Sequence, residues 1–210
     1  MTLSFRLSQI PLALYHWLLV CLAFWCVTGV IQFGAEASPA WWDIAWYKQA
    51  VSQGEYWRLW SGHLQHLNSI HWLMNLGALS LIFAFAPCTM HPLRWLSCFI
   101  VAGGVIGWML MDSQFDAYVG LSGVSYGLMI FGILVDRGLT PVLRFMALLL
   151  TVSKVVLEQV FPEMNNDTSQ MIGGSVAIDA HLYGAITGAL LAGVELIWRR
   201  LRLRRQEVSN

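Results

Sequence analysis

Three short stretches of this chain place reactive side chains inside apolar sequence. Gly120-Leu121-Ser122-Gly123 carries a serine between glycines, Ala180-His181-Leu182-Tyr183-Gly184 carries a histidine, and His71-Trp72-Leu73-Met74-Asn75 carries a His/Asn pair at i, i+4. Each lies near the end of an apolar run long enough to cross a bilayer, where polar groups are costly to keep and functional by default. A serine hydroxyl becomes a useful nucleophile only beside a base, and histidine has the pKa for that work. His71 and Asn75, one helical turn apart, can both donate hydrogen bonds to a developing oxyanion. The backbone N–H of Ser122 would join them, because the first turn of a helix leaves its amides without intrahelical partners. Nucleophile, base and oxyanion donors are what a serine protease would need to work within a membrane.

The residues around these groups refine the expectation. Gly120 and Gly123 would let a substrate backbone come close. Tyr126, four residues after Ser122 on the same face, is placed to pack under an imidazole, although a core aromatic would have the same spacing. Ser125 is a rival nucleophile, deeper and without the flanking glycines. No acidic residue is obviously placed to orient His181, since Asp179 is two residues away and points elsewhere on the helix. The expectation is therefore a Ser122–His181 dyad. Lys154 and Glu158 form an i, i+4 pair and read as a structural couple or a gate element rather than as catalysis. His63, His66 and His71 cluster in sequence, but no Cys, no Asp or Glu at i+4 and no His-Glu-x-x-His accompanies them. Neither a metal nor another cofactor is expected.

The elements that must position these groups follow from composition. Of 210 residues, 57% are hydrophobic and 11% charged, whereas soluble domains carry about a quarter charged residues. An ordinary soluble domain is excluded. Six apolar runs, at about 12–33, 69–86, 95–111, 120–136, 141–160 and 176–198, approach the roughly 20 residues a spanning helix needs. The fold class expected is an all-α, six-helix polytopic membrane bundle, with residues 1–210 as one domain. The formal net charge is zero, but the charges are segregated. Arg6, Arg94, Arg137, Arg144 and Arg199, Arg200, Arg202, Arg204 and Arg205 fall on one side of a six-span arrangement; Lys48, Arg58 and Lys154 fall on or near the other. That bias sets both termini in the cytoplasm and opens the Ser122 end outward. Ala35-Glu36-Ala37 looks like a leader cleavage site, but the apolar run before it is too long for one, so the first span is read as retained. Cys21, Cys26, Cys88 and Cys98 map to spans or the cytoplasmic side, so no structural disulfide is expected.

The longest connection, roughly 34–68, holds Trp41, Trp42, Trp46, Tyr47, Tyr56, Trp57 and Trp60. Such crowding suits the headgroup layer and predicts short helices lying there; a Trp-rich extramembrane subdomain is the alternative. Gly123 and Gly127 in the fourth span, and Gly184 and Gly188 in the sixth, have the spacing that lets helices approach closely in lipid. His181, Gly184 and Gly188 share one helical face, so contact between these two spans would bring Ser122 and His181 together.

These motifs resemble those of the rhomboid intramembrane serine proteases, over nearly the whole chain. Gly120-x-Ser122-Gly123 resembles the family's nucleophile motif, with Tyr126 at the place of its stacking tyrosine. Ala180-His181-x-x-Gly184-x-x-x-Gly188 resembles the base helix. His66 followed by His71-x-x-x-Asn75 resembles the second-span signature, and Trp57-Arg58 the pair in the first outer loop. The resemblance implies a six-helix fold with a short, central fourth span and a water-accessible site open to the outside. Tyr56-Trp57-Arg58 to Gly62-His63, His66-Leu67-Asn68 and Asp179 to Gly184 look most like the rhombosortase branch. That likeness implies a bacterial inner-membrane protease acting on secreted proteins that end in a Gly-Gly motif, one transmembrane helix and a basic tail. The partners expected are these transmembrane substrates and the bilayer, with no nucleic acid. A non-catalytic binder of transmembrane segments and a rhomboid protease with other substrates are the alternatives. A transporter is disfavoured, since no internal repeat or pair of broken half-helices is present.

Overall fold

The structure is a computed structural model that describes residues 12–38, 43–86 and 92–209. Arg6, Trp41, Trp42 and Cys88 lie outside the described residues. Cys21, Cys26 and Cys98 carry free thiols.

The described chain runs α1 (Leu12–Ala37), β1 (Trp46–Tyr47), α2 (Lys48–Ser52), α3 (Arg58–Ser61), α4 (Ser69–Phe85), α5 (Pro92–Met109), β2 (Ala117–Tyr118), α6 (Ser122–Val135), α7 (Pro141–Val160), α8 (Asn166–Ile172) and α9 (Ile178–Ser209). Helices stand at all six predicted positions. Their starts have local causes. The Asn68 side chain accepts the His71 N–H at 2.8 Å and caps α4. Thr140 caps α7 by accepting from Leu143 N–H, with Pro141 at the first helical position, where its missing N–H costs nothing.

Two stretches, Leu93–Asp112 and Ile178–Gln206, are each long and apolar enough to cross a membrane alone; α4 and α6 are apolar but shorter. α7 has the length, but carries Arg144, Lys154 and Glu158. The bundle turns apolar side chains outward all round: Leu22, Leu73, Leu81, Val142, Leu150 and Leu190 are exposed. A soluble protein does not leave so much contiguous apolar surface to water; here it faces lipid. α6 occupies the centre, in contact with α4, α5, α7 and α9. Its 14 residues span about 21 Å, so it cannot reach both faces of a hydrocarbon layer roughly 30 Å thick.

The glycine seam predicted from spacing is where α6 meets α9. A Cβ on Gly123 would come within 2.8 Å of the Ala180 carbonyl oxygen, and one on Gly127 within 2.9 Å of the Gly184 carbonyl. Reciprocally, a Cβ on Gly184 would collide with the Gly123 carbonyl oxygen, and one on Gly188 with that of Gly127. The two backbones touch because glycines stand on both helices where they meet.

The segment before α4 contains the predicted short helices, α2 and α3, and also a feature the sequence did not suggest. β1 pairs with β2, setting Trp46 opposite Tyr118 and Tyr47 opposite Ala117. Three glycines on α5 receive this segment. The Trp60 ring lies against Gly103 and Gly104, and Leu59 backbone atoms would be 2.8 Å from a Cβ at Gly107. Trp46 Nε1 donates to the Gly107 carbonyl at 3.0 Å, and Trp60 Nε1 to that of Ile100 at 2.7 Å. The aromatic cluster therefore divides: Trp46 is buried as an anchor, while Tyr56 and Trp57 are exposed. Arg58 sits over the Trp57 ring, pairs with Glu55 and donates to the Ala45 carbonyl at 2.6 Å, closing the segment on itself.

Candidate active site

Ser122 is the first residue of α6. α9 begins at Ile178, so His181 lies in its first turn, as Ser122 does in α6. His181 Nε2 is 2.9 Å from Ser122 Oγ. The Tyr126 ring lies beside the imidazole with centroids 4.5 Å apart and planes tilted by 32°, in the supporting position its spacing allowed. Ser125, the rival nucleophile, is buried with its Oγ unpartnered.

Sequence reasoning found no acidic neighbour for His181; the structure places one there. Glu158 Oε2 is 2.8 Å from His181 Nδ1, and its other oxygen, Oε1, is 2.8 Å from Lys154 Nζ. Asp179 forms no such contact with His181, as its helical position predicts. Glu158 was missed because the contact joins two helices across 23 residues. Spacing within α7 reveals only the i, i+4 partner Lys154.

Across the cavity stand the oxyanion candidates. Leu67 N–H donates to His71 Nδ1 at 3.3 Å, so the proton of a neutral ring must sit on Nε2. That edge faces Gly120: a Cβ there would lie 2.9 Å from His71 Nε2. Gly120 also has φ +125°, a conformation L side chains avoid; glycine is required for both reasons. Asn75 Nδ2 spends one hydrogen on the His71 carbonyl at 2.9 Å, which leaves the second. His71, Asn75, Ser122, Tyr126, Glu158 and His181 all line one cavity of about 440 Å³. The arrangement sets a hydroxyl, an imidazole within hydrogen-bond reach of it and hydrogen-bond donors around one cavity, the groups that acyl transfer uses.

The loop histidines support this wall. His66 packs edge-on against His71 at 5.0 Å, with neither ring nitrogen partnered. Burial pushes its pKa down to about 3, so it is neutral. Burial likewise holds His63 below its ordinary value, and its neutral ring donates from Nε2 to the Gly103 carbonyl at 3.1 Å. Tyr118 O–H donates to the Gly120 carbonyl at 2.6 Å, while Gly120 N–H donates to the Gly62 carbonyl at 3.0 Å. One peptide of Gly120 is thus held by Gly62, in the segment that docks on α5, and the other by Tyr118 of β2, the strand paired with that segment. That is how Gly62-His63, remote from the reactive serine in sequence, comes to set the wall beside it.

Fold and site together define an α-helical membrane protein with a serine–histidine pair in a cavity between its helices. A family model described as Rhomboid domain matches residues 53–197, and the chain belongs to the rhomboid family, whose members are intramembrane serine proteases. The match spans α3 through most of α9 and contains every site residue named above. No curated protein sequence matches the chain significantly.

Proposed function

We propose that this chain is an intramembrane serine endopeptidase using Ser122 as nucleophile and His181 as base. The observation that carries this reading is the 2.9 Å approach of His181 Nε2 to Ser122 Oγ at the wall of the cavity. Ser122 Oγ attacks the substrate carbonyl carbon as its proton passes to His181 Nε2. The oxyanion is met by the Ser122 N–H, His71 Nε2–H and the second Asn75 amide hydrogen. The intermediate collapses as His181 returns the proton to the leaving amine. Water, deprotonated by the same nitrogen, then releases the acyl group and restores the serine. A serine and a histidine in contact oppose the reading of a non-catalytic binder.

The finer assignment is a rhombosortase of the bacterial inner membrane, with both termini cytoplasmic and the site open to the periplasm. Arg94, Arg144 and Arg199 lie at the end of the bundle away from Ser122, joined to Glu195, the Asp136 carbonyl and the Val135 carbonyl. By the positive-inside rule that end is cytoplasmic. Single cysteines introduced at Ser38 and Ser209 in a background free of native cysteines should react from opposite faces. Labelling of both from one face contradicts six spans.

The substrates proposed are secreted proteins ending in a Gly-Gly motif, an apolar helix and a basic tail. A helix hides its carbonyls in hydrogen bonds, and each glycine costs about 1 kcal/mol of helix stability relative to alanine, so a Gly-Gly pair is a place to open. Mass spectrometry of the mature C-terminus should find trimming near the glycines with wild-type enzyme and none with Ser122→Ala. Replacing the glycines by Leu-Leu should slow cleavage at least tenfold without altering insertion. Identical C-termini in both strains would remove the rhombosortase assignment and leave the protease reading standing.

A further inference from the structure

The serine–histidine chemistry leaves the buried charge of Glu158 unused. Glu158 has 3% of its side chain exposed and sits in a helix of a membrane bundle, where an ionised carboxylate is costly unless fully paired. It is fully paired, and in a directed way: Lys154 Nζ on Oε1, His181 Nδ1 on Oε2, both at 2.8 Å. Lys154 is further oriented by Asn165 Oδ1 at 3.3 Å. Lys154 and Asn165 line the same cavity as Ser122.

We propose that Glu158 is a positioning residue that fixes the reactive tautomer of His181, with Lys154 locking its orientation, so that Lys154, Glu158, His181 and Ser122 act as one aligned chain. The proposal rests on the reading of Ser122 and His181 as nucleophile and base. An ionised carboxylate only accepts hydrogen bonds, so the proton of a neutral His181 ring is drawn to Nδ1. Nε2 then presents its lone pair to Ser122 O–H, the one arrangement in which the ring can act as a base. When Nε2 takes the serine proton, the ring becomes an imidazolium whose Nδ1–H still points at Glu158. The carboxylate stabilises that cation and takes no proton itself. Without it, either ring nitrogen could hold the proton, and a ring protonated on Nε2 would be inert.

Lys154 makes the device testable. It is a donor only, so in Glu158→Gln the amide oxygen must turn to Lys154 and the amide NH₂ to His181. That donor forces Nδ1 to accept and moves the ring proton to Nε2, facing the serine. Removing the lysine as well frees the amide to rotate and offer its oxygen to Nδ1. A merely structural ion pair predicts the opposite, since deleting its second member can only add damage or leave it unchanged.

The test uses the full chain in detergent. Two quantities are read: the rate at which a fluorophosphonate probe labels Ser122, and the ¹⁵N NMR signature of His181, assigned by difference against His181→Ala. Wild type should show Nδ1 protonated and Nε2 unprotonated. Glu158→Gln should show the reverse and label on the order of 10³–10⁴-fold more slowly, the scale expected when a serine–histidine pair holds the wrong tautomer. Lys154→Met alone should cost about tenfold or less, because the carboxylate still accepts from Nδ1. The double variant Glu158→Gln with Lys154→Met should recover at least about tenfold over Glu158→Gln and regain the Nδ1–H signature. Wild-type labelling rates in Glu158→Gln, or a double variant no faster than Glu158→Gln, would overturn the proposal. An Nε2–H signature in the wild type would overturn it even if Glu158→Gln failed to fold. Absence of any labelling of the wild type would instead count against the protease reading itself.

Discussion

Replacing Ser122 by alanine is expected to abolish cleavage, and replacing His181 by alanine to do the same. The loss in each case should approach the roughly 10⁶-fold seen when a serine protease loses its nucleophile or base. The double variant should be no worse than either single one, because each removes the same unit: the hydroxyl and lone pair that meet at 2.9 Å. Asn75→Ala should behave differently. It removes one of several oxyanion donors and leaves activity about 10²–10³-fold below wild type. Turnover of a transmembrane substrate in proteoliposomes reads all four variants. A live Ser122→Ala alongside a dead Ser125→Ala would move the nucleophile to the deeper serine. Multiplying losses in the double variant would mean that Ser122 and His181 do not act together.

The second large effect is structural. Gly184→Ala is expected to destabilise the protein by about 3 kcal/mol or more, at or beyond the upper end of overpacking costs. The added methyl has nowhere to go: it meets the Gly123 carbonyl, a backbone atom on the helix that starts at Ser122. Separating α6 from α9 also separates Ser122 from His181, so activity should fall with stability. Gly193 on the same α9 is the control, since nothing lies within 4 Å of the place its Cβ would take. Gly193→Ala should be neutral or stabilise the helix by up to about 1 kcal/mol. Thermal unfolding in detergent, followed by tryptophan fluorescence, compares the two directly. Equal melting temperatures would show that the α6–α9 contact is looser than its geometry implies.

What the sequence made legible was whatever depends on period and local chemistry. Helix positions followed from apolar runs, and the α6–α9 seam from Gly123, Gly127, Gly184 and Gly188, because spacing on a helix fixes which residues share a face. The Ser122–His181 contact was legible for the same reason: the seam dictates the pairing of the two helices. Tyr126 needed only its place one turn after Ser122. What stayed hidden depends on side-chain reach between elements that share no repeat. Glu158 meets His181 across the α7–α9 packing, and in sequence only its near partner Lys154 was visible. The β1–β2 pairing is two residues long on each side, too short for any alternation of apolar and polar residues to reveal it. Gly103 and Gly107 have the same four-residue spacing as the seam glycines, but spacing does not say what packs there; the slot for Trp60 and Leu59 appears only once the loop is in place. His63 is the instructive intermediate. The sequence set aside a metal site at His63 but assigned it no other role; its burial and the Gly103 carbonyl make it a strut beneath Gly120.

Whether Ser122 is a nucleophile activated by His181 can be read by covalent labelling without knowledge of any substrate. The purified full-length chain would be treated with a fluorophosphonate and digested, and the modified residue located by mass spectrometry. A single phosphonylated residue, Ser122, is expected, with no adduct in His181→Ala under the same conditions. An adduct on Ser125, or equal labelling of Ser122 with and without His181, would contradict it.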